Sequence, residues 1–207
     1  MSEGREPGST RDAVVSAAMD LFGRQGYRAT TIAQIEDAAG LSAGAGGLYR
    51  HFRTKRAVLE EGLRRQSEQG RALVAYLENP AALPSLPLRE RLVEISRAGL
   101  RRLEEERDVN RMLLRDLAAF PELLARVREQ ELSAVVGAVA TWLQAQPEPI
   151  APGQVPDWRA TASVLVSAVS HYWVLRDVYS GEHPHAVDAE RYLNALAALA
   201  ASIWSSA

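Results

Sequence analysis

Residues 30–56 read TTIAQIEDAAGLSAGAGGLYRHFRTKR, and this stretch contains the clearest helix-start signals of the chain. Hydroxyl side chains accept hydrogen bonds from the free N–H groups of a helix start, and three of them stand at such positions here. They are Thr31, Ser42 and Thr54. The connections between them are very short, so the pattern predicts three closely spaced helices, the first of them stopped by Gly40.

The first two of these elements have the makings of a helix-turn-helix. Thr31 and Gln34 fit a capping box, and the short helix that follows would turn Ile32, Ile35 and Ala39 inward. Ser42 would cap a second short helix that buries Leu48 and Phe52 and leaves its outer face free of bulky apolar groups. Such a helix can enter the DNA major groove while the first lies across the backbone.

The remaining periodicity is helical almost throughout, so we expect an all-α protein of about nine helices. We expect residues 1–8 to be a flexible tail, 9–56 to be the helix-turn-helix domain, and 57–207 to be a C-terminal helical bundle. Prolines at 79–87 and 146–156 predict loops, and Pro121 predicts a helix start.

Composition excludes several classes of protein. The 207 residues include no Cys, which excludes disulfide scaffolds, Cys-ligated metal centres and thiol catalysis. A polar N-terminus and the lack of a long apolar run predict a cytoplasmic protein with no membrane partner. We find no Walker loop and no nucleophile elbow, and expect no enzyme, cofactor or metal. His183-Pro184-His185 is only a weak metal-ligand pattern.

Charge is distributed unevenly, although the net charge is only −2. Residues 42–56 carry four basic side chains and His51 but no acid. This excess of positive charge suits an anionic binding partner, but a helix face exposed to solvent would also tolerate it.

At these residues the sequence resembles the TetR family of transcriptional repressors. The resemblance covers about residues 9–60. It is carried by Leu21-Phe22, Gly26-Tyr27, Thr30-Thr31-Ile32, Ile35, Ala38-Ala39-Gly40-Leu41-Ser42, Gly47-Leu48-Tyr49-Arg50-His51-Phe52 and Lys55.

The resemblance implies a set of DNA-contacting residues. Those implied to touch the DNA backbone are Thr31, Tyr49, His51 and Lys55. Those that would open the recognition element are Ser42, Ala43, Gly44 and Ala45. Arg50 is a further candidate, since a guanidinium can bind guanine bidentately. Arg5 and Arg11 fit a minor-groove arm or a disordered tail.

One spacing departs from the family pattern. Seven positions separate Ser42 from Tyr49, where the usual spacing is five, and three glycines lie between them. Glycine disfavours a helix interior, so we expect a lengthened turn with regular helix beginning near Ala45 to Gly47.

The last two helices are apolar on nearly every face, which predicts burial on more than one side. A second copy of the chain is the simplest cover, and the resemblance implies the same homodimer and hence a palindromic operator. Expected interface residues are Leu165, Val169, Leu196, Leu199, Ile203 and Trp204. The alternative is a monomer with a fully buried hairpin.

The middle helices hold residues suited to an apolar ligand cavity with a few polar groups. They are Met112, Arg115, Phe120, Trp142, His171, Tyr172, Trp173 and Arg176, although such residues also occur as ordinary core. The prediction favours His171, since an imidazole among apolar neighbours needs a partner. The resemblance implies a repressor released from double-stranded DNA by a small-molecule effector. The alternative is a helical small-molecule-binding or protein-interaction bundle that does not read DNA.

Overall fold

The protein is described by a computed structural model over residues 7–78 and 86–204. Nine α-helices and no strand occur within these two ranges, which confirms the all-α prediction. The helices are α1 (Pro7–Gln25), α2 (Ile32–Ala38), α3 (Lys55–Glu78), α4 (Leu88–Glu105), α5 (Arg107–Asp116), α6 (Pro121–Val127), α7 (Ser133–Gln144), α8 (Trp158–Val178) and α9 (Ala189–Ala201). None of the described helices is long and apolar enough to cross a membrane.

The chain divides into two compact units. Unit 1 comprises residues 1–69 and 106–128, and unit 2 comprises residues 70–105 and 129–207. The sequence places the boundary of the helix-turn-helix domain at residue 56, whereas the packing also groups the start of α3 and all of α5 and α6 with the N-terminal helices. The reason is a shared core, in which Phe22, Ile35 and Leu48 pack in one cluster with Met112 and Leu123.

The first helix begins at Pro7, inside the segment expected to be a tail. Two residues of the expected tail, 7 and 8, are therefore helical, while residues 1–6, including Arg5, lie outside the described part. Arg11 is not part of a flexible arm. Its guanidinium binds the Glu61 carboxylate at 2.7 Å and lies 4.7 Å from the centre of the Phe52 ring, so it ties α1 to α3.

Unit 2 is built from the end of α3 together with α4, α7, α8 and α9, around a core that includes Trp142, Tyr172 and Trp173. The side chain of Asp157 caps α8 and that of Asp188 caps α9, each by accepting a backbone N–H three residues ahead. Of the predicted proline-rich break, residues 79–85 lie outside the described ranges.

The helix expected from Pro121 onward is interrupted. Pro121 occupies the first turn of α6 as expected, but residues 128–132 form a π-helical turn before α7 begins at Ser133. A π turn inserts an extra residue into the hydrogen-bond ladder, which is why apolar spacing alone did not reveal it.

Candidate nucleic-acid interface

The start of α2 has the predicted capping box. The Thr31 hydroxyl accepts the Gln34 N–H at 3.2 Å, and the Gln34 side-chain oxygen accepts the Thr31 N–H at 2.8 Å. Both side chains remain exposed, so the capped end of this helix faces solvent. A helix start with further free N–H groups favours an anion nearby.

The segment after α2 is a loop, which we call the recognition loop (residues 41–54). The lengthened turn is present as expected, but the regular helix predicted to begin near Ala45 to Gly47 does not form. Within the loop only Leu48–Arg50 is helical, as a single 3-10 turn. Gly44 and Gly46 have φ angles of +74° and +75°, in the left-handed region, and an α-helix cannot run through them.

Ser42 does not cap a helix in this loop. Gly47 precedes the 3-10 turn, and no side-chain hydrogen bond caps that turn. The side chains of Ser42, Ala43 and Ala45 are exposed, as is Gly44. The prediction that Leu48 and Phe52 are buried is confirmed.

A carboxylate holds the recognition loop in place. Glu36 is completely buried, and its two oxygens accept the Gly44 N–H at 2.7 Å and the Leu48 N–H at 2.9 Å. Carboxylates bound by backbone N–H groups make strong, directional hydrogen bonds. The sequence analysis predicts no role for Glu36. The available signal was an acid beside the inward-facing Ile35, just ahead of a glycine-rich segment with free N–H groups.

This arrangement turns the predicted DNA-contacting side chains of the loop outward. Tyr49 is 55% exposed, Arg50 is exposed and His51 is half-buried. Neither Tyr49 nor Arg50 has a hydrogen-bonding or ionic side-chain partner among the described residues. Both are therefore free to meet an external ligand.

Lys55, at the first position of α3, is already engaged within the protein. Its ammonium donates hydrogen bonds of 2.7 Å to both the Tyr27 and Thr30 carbonyl oxygens and lies 4.3 Å from the centre of the Tyr27 ring. Burial lowers the pKa of this ammonium from its usual value. Lys55 thus fastens the α1–α2 loop to the start of α3.

Three of the expected effector residues belong to the packing of unit 1. Met112 is completely buried in its core, and Phe120 meets the Tyr27 ring edge-on at 4.9 Å. The Arg115 guanidinium donates to the Phe22 and Gly23 carbonyls at the end of α1. These contacts give all three residues partners within unit 1.

The other five expected effector residues lie in unit 2 and separate into three groups. Trp142 and Trp173 are core residues. His171 is exposed, so the expectation of a buried imidazole that needs a partner is wrong; its position on α8 points away from the core. Tyr172 and Arg176 line an open cavity of about 700 Å³ beneath the α8–α9 loop.

Tyr172 and His183, two of the residues that line the cavity, are in ring contact. The His183 ring stacks on the Tyr172 ring with their centres 4.9 Å apart, and the centre of the Tyr192 ring lies 4.4 Å from that of Tyr172. Arg176 pairs with Glu104 at 2.7 Å and donates to the Gly181 carbonyl at 3.1 Å. The cavity is therefore apolar in its ring surfaces and charged at one side.

The expected dimer residues also differ in exposure. Leu199 is 74% exposed, and Leu165, Leu196 and Ile203 are half-buried. Val169 and Trp204 instead face the core of their own chain. The Trp204 ring packs on Trp158 at 5.2 Å, which accounts for its burial without a second copy.

Comparisons with known proteins agree with this geometry. The family model for bacterial regulatory proteins of the tetR family matches residues 14–61. The HTH-type transcriptional repressor KstR2 of Mycolicibacterium smegmatis is 41% identical over 59 residues, 28% of this chain and 28% of that protein. The HTH-type transcriptional regulator YvkB of Bacillus subtilis is 28% identical over 120 residues, 58% of this chain and 59% of that protein. The matched regions thus span less than two thirds of either relative.

The fold is shared with solved structures over nearly the whole chain. A regulator from Mesorhizobium loti assigned to the TetR family superposes with a TM-score of 0.75 at 18% identity, covering 98% of this chain and all of that one. GusR of Salmonella enterica superposes with a TM-score of 0.68 at 20% identity, covering 98% and 99% of the two chains. The matched N-terminal segment contains the capping box, the buried Glu36 and the recognition loop described above. Residues 14–61 therefore match the tetR family of bacterial regulatory proteins, and the chain as a whole shares its fold with the solved structures.

Proposed function

We propose that this chain is a ligand-responsive transcriptional repressor that binds a palindromic double-stranded DNA site as a homodimer. The observation that carries the proposal is the recognition loop, which Glu36 anchors to α2 and which leaves Tyr49 and Arg50 exposed, without a hydrogen-bonding or ionic side-chain partner among the described residues. Its inner side is anchored by Glu36, Leu48 and Phe52, so the outer side chains have fixed origins.

Each exposed group has a suitable role on a duplex. Thr31 and the N–H groups behind it suit a phosphate oxygen, and the Tyr49 hydroxyl can donate to another. Arg50 has the planar fork that binds the guanine edge in the major groove. Ser42, Ala43, Gly44 and Ala45 offer small surfaces and backbone groups, which allow the loop to lie close to the DNA. The half-buried imidazole of His51 can supply one further hydrogen-bond donor from the recognition loop.

Homodimer formation is supported by apolar side chains left exposed on the last two helices. Val164 on α8 is 65% exposed, and Leu199 on α9 is 74% exposed. Half-buried Leu165, Leu196 and Ile203 border them. An apolar face of this kind on two adjacent helices fits a two-fold interface, in which the same surface is used by both copies.

Effector binding is supported by the cavity under the α8–α9 loop. Its aromatic rings and its charged side match the general design of small-molecule sites. An effector can release the protein from DNA only through a difference in its affinity for the DNA-bound and free states, ordinarily about 1–3 kcal/mol of coupling.

The test is a selection from random 30-bp duplexes with the full-length protein, followed by titration of the enriched sequence. Repressor function predicts enrichment of a palindrome, two protomers per duplex and an affinity that falls steeply with salt. Tyr49→Phe combined with Arg50→Ala should weaken binding without altering the melting temperature. Absence of any sequence enrichment, with retained small-molecule binding, would favour the helical binding bundle instead.

A further inference from the structure

Several arginines of unit 1 are neutralised inside the unit. Arg11 pairs with Glu61, Arg24 with Asp20, Arg56 with Glu60 and Glu122, and Arg65 with Asp12 and Glu61. Such pairs lower the positive potential that those side chains present to the outside. An exposed arginine without such a pair presents its full charge to the outside.

Arg28 and Arg53 are two such arginines. Both are exposed, and neither has a hydrogen-bonding or ionic partner among the described residues. No acid of the described ranges pairs with either guanidinium, so their charge is available to an anion.

The Lys55 clamp brings these two arginines to one junction. Arg28 lies between Tyr27 and Thr30, whose carbonyls are both held 2.7 Å from the Lys55 ammonium. Arg53 precedes Lys55 by two residues, and Thr54 between them caps α3 by accepting the Ala57 N–H at 3.0 Å. Arg28 is one residue from Tyr27 and Arg53 is two residues from Lys55, so at most about 7 Å of backbone separates either arginine from these hydrogen-bonded residues.

We propose that Arg28 and Arg53 bind backbone phosphates of the DNA duplex at the junction of the α1–α2 loop and α3, with Lys55 as the residue that positions them. This inference rests on the proposed function, because it assumes a duplex on the recognition loop. Guanidinium groups suit the task, since their planar fork binds phosphate oxygens bidentately. The role that the family resemblance implies for Lys55 itself passes to its two neighbours, because two of the hydrogen bonds of its ammonium are used internally.

Salt dependence of DNA binding separates phosphate contacts from other effects. We would titrate the full-length protein against a mixed-sequence 30-bp duplex and against the enriched duplex, by fluorescence anisotropy from 50 to 300 mM KCl. Each lost phosphate contact should flatten the plot of log K against log salt by about 0.9. Arg28→Ala or Arg53→Ala should therefore reduce the slope by that amount per bound protomer, equally on both duplexes.

Two further sets of variants make the result decisive. Arg101→Ala removes an exposed, unpartnered arginine from α4 in unit 2, and should leave the slope unchanged. Arg28→Lys and Arg53→Lys retain the charge and should retain most of the slope. They therefore test the phosphate contact even if an alanine variant has a lower melting temperature. Wild-type slopes for both alanine variants would overturn the arginine assignment alone. A wild-type protein that binds neither duplex would overturn the proposed function as well.

Discussion

The carboxylate of Glu36 binds the backbone N–H of Leu48 across twelve residues of sequence, at 2.9 Å and fully shielded from solvent. Its other oxygen binds Gly44, so one side chain fixes both ends of the glycine-rich turn. A loop without regular helix can present side chains accurately only if its backbone N–H groups have such partners. Glu36 is that partner for the N–H groups of Gly44 and Leu48.

Replacing Glu36 tests this relationship. In Glu36→Gln one acceptor oxygen becomes an NH₂ group, which cannot accept from either N–H and leaves a buried donor unsatisfied. We expect a loss of about 1–3 kcal/mol in the free energy of unfolding and weaker DNA binding. Denaturant titration and the duplex assay measure the two effects. Asp37→Asn is the matched control, since Asp37 is an exposed acid on the same helix. Equal stability of the two variants would contradict the role of Glu36.

Backbone conformation, not space, should decide the effect of substitution at Gly44. A Cβ at Gly44 would meet nothing within 4 Å, but its φ of +74° disfavours any L side chain. Gly44→Ala should therefore destabilise the protein by roughly 1 kcal/mol. Gly137 in α7 is equally open but has no positive φ, so Gly137→Ala should stabilise by about 0.5–1 kcal/mol. Effects of the same sign in thermal unfolding would refute this explanation.

Local signals were the ones that sequence could reveal. The capping box at Thr31 joins residues three positions apart, and the burial of Leu48 and Phe52 follows from short-range apolar spacing, so both were predictable. The partners of Glu36 and Lys55 lie 8 to 28 residues away, in loops whose path no periodicity specifies.

Which residues of the middle helices pack in a core and which line a cavity was harder to predict, for a similar reason. Met112, Arg115 and Phe120 have the residue types of a ligand cavity, but the same types fill a core. Only the packing of α5 and α6 with α1 distinguishes the two. The exposure of His171 likewise depends on how α8 is rotated, and neighbours in sequence do not determine that rotation.

Loss of the Lys55 ammonium should affect stability directly. Lys55→Met keeps the aliphatic stem over the Tyr27 ring but leaves the Tyr27 and Thr30 carbonyls without their donor. Two hydrogen bonds from a charged group are lost, so we expect a decrease of about 1.5–3 kcal/mol in the free energy of unfolding. Arg50→Ala, which removes an exposed cation from the same unit, should change stability by less than about 0.5 kcal/mol. A Lys55→Met protein as stable as wild type would show that the clamp is dispensable.

The contact between α1 and α5 should make stability depend on pH. Gly23 and Asp108 are packed so closely that a Cβ at residue 23 would overlap the Asp108 backbone. Burial, followed by the nearby Asp20 carboxylate, raises the pKa of Asp108. The folded state thus binds this proton more tightly than the unfolded chain does. The stabilising contribution is present below the unfolded pKa and is lost as pH rises through the folded one.

Asp108→Asn removes the charge that is unfavourable at neutral pH. We expect the variant to be more stable than wild type at pH 7, by about 0.2–1 kcal/mol, the usual range for partly exposed charges. At pH 3, where Asp108 is protonated, the difference should vanish. Thermal unfolding at the two pH values measures both. A gain that persists at pH 3 would point to altered packing rather than to the charge.

Charge on the exposed face of α9 should separate the two protomers. Leu199→Glu replaces the most exposed apolar side chain of the last two helices, and in a two-fold interface every substitution appears twice. Two like charges brought together in an apolar seam are costly, so we expect a folded monomer by light scattering, with normal helicity and much weaker binding to a palindromic duplex. Val155→Glu is the matched control, because Val155 is 94% exposed but lies in the loop before α8. Since this control introduces the same charge outside the proposed seam, it should leave the dimer intact. If Leu199→Glu also remained dimeric, α9 would not form the interface, and its exposed leucine would have to serve a different contact.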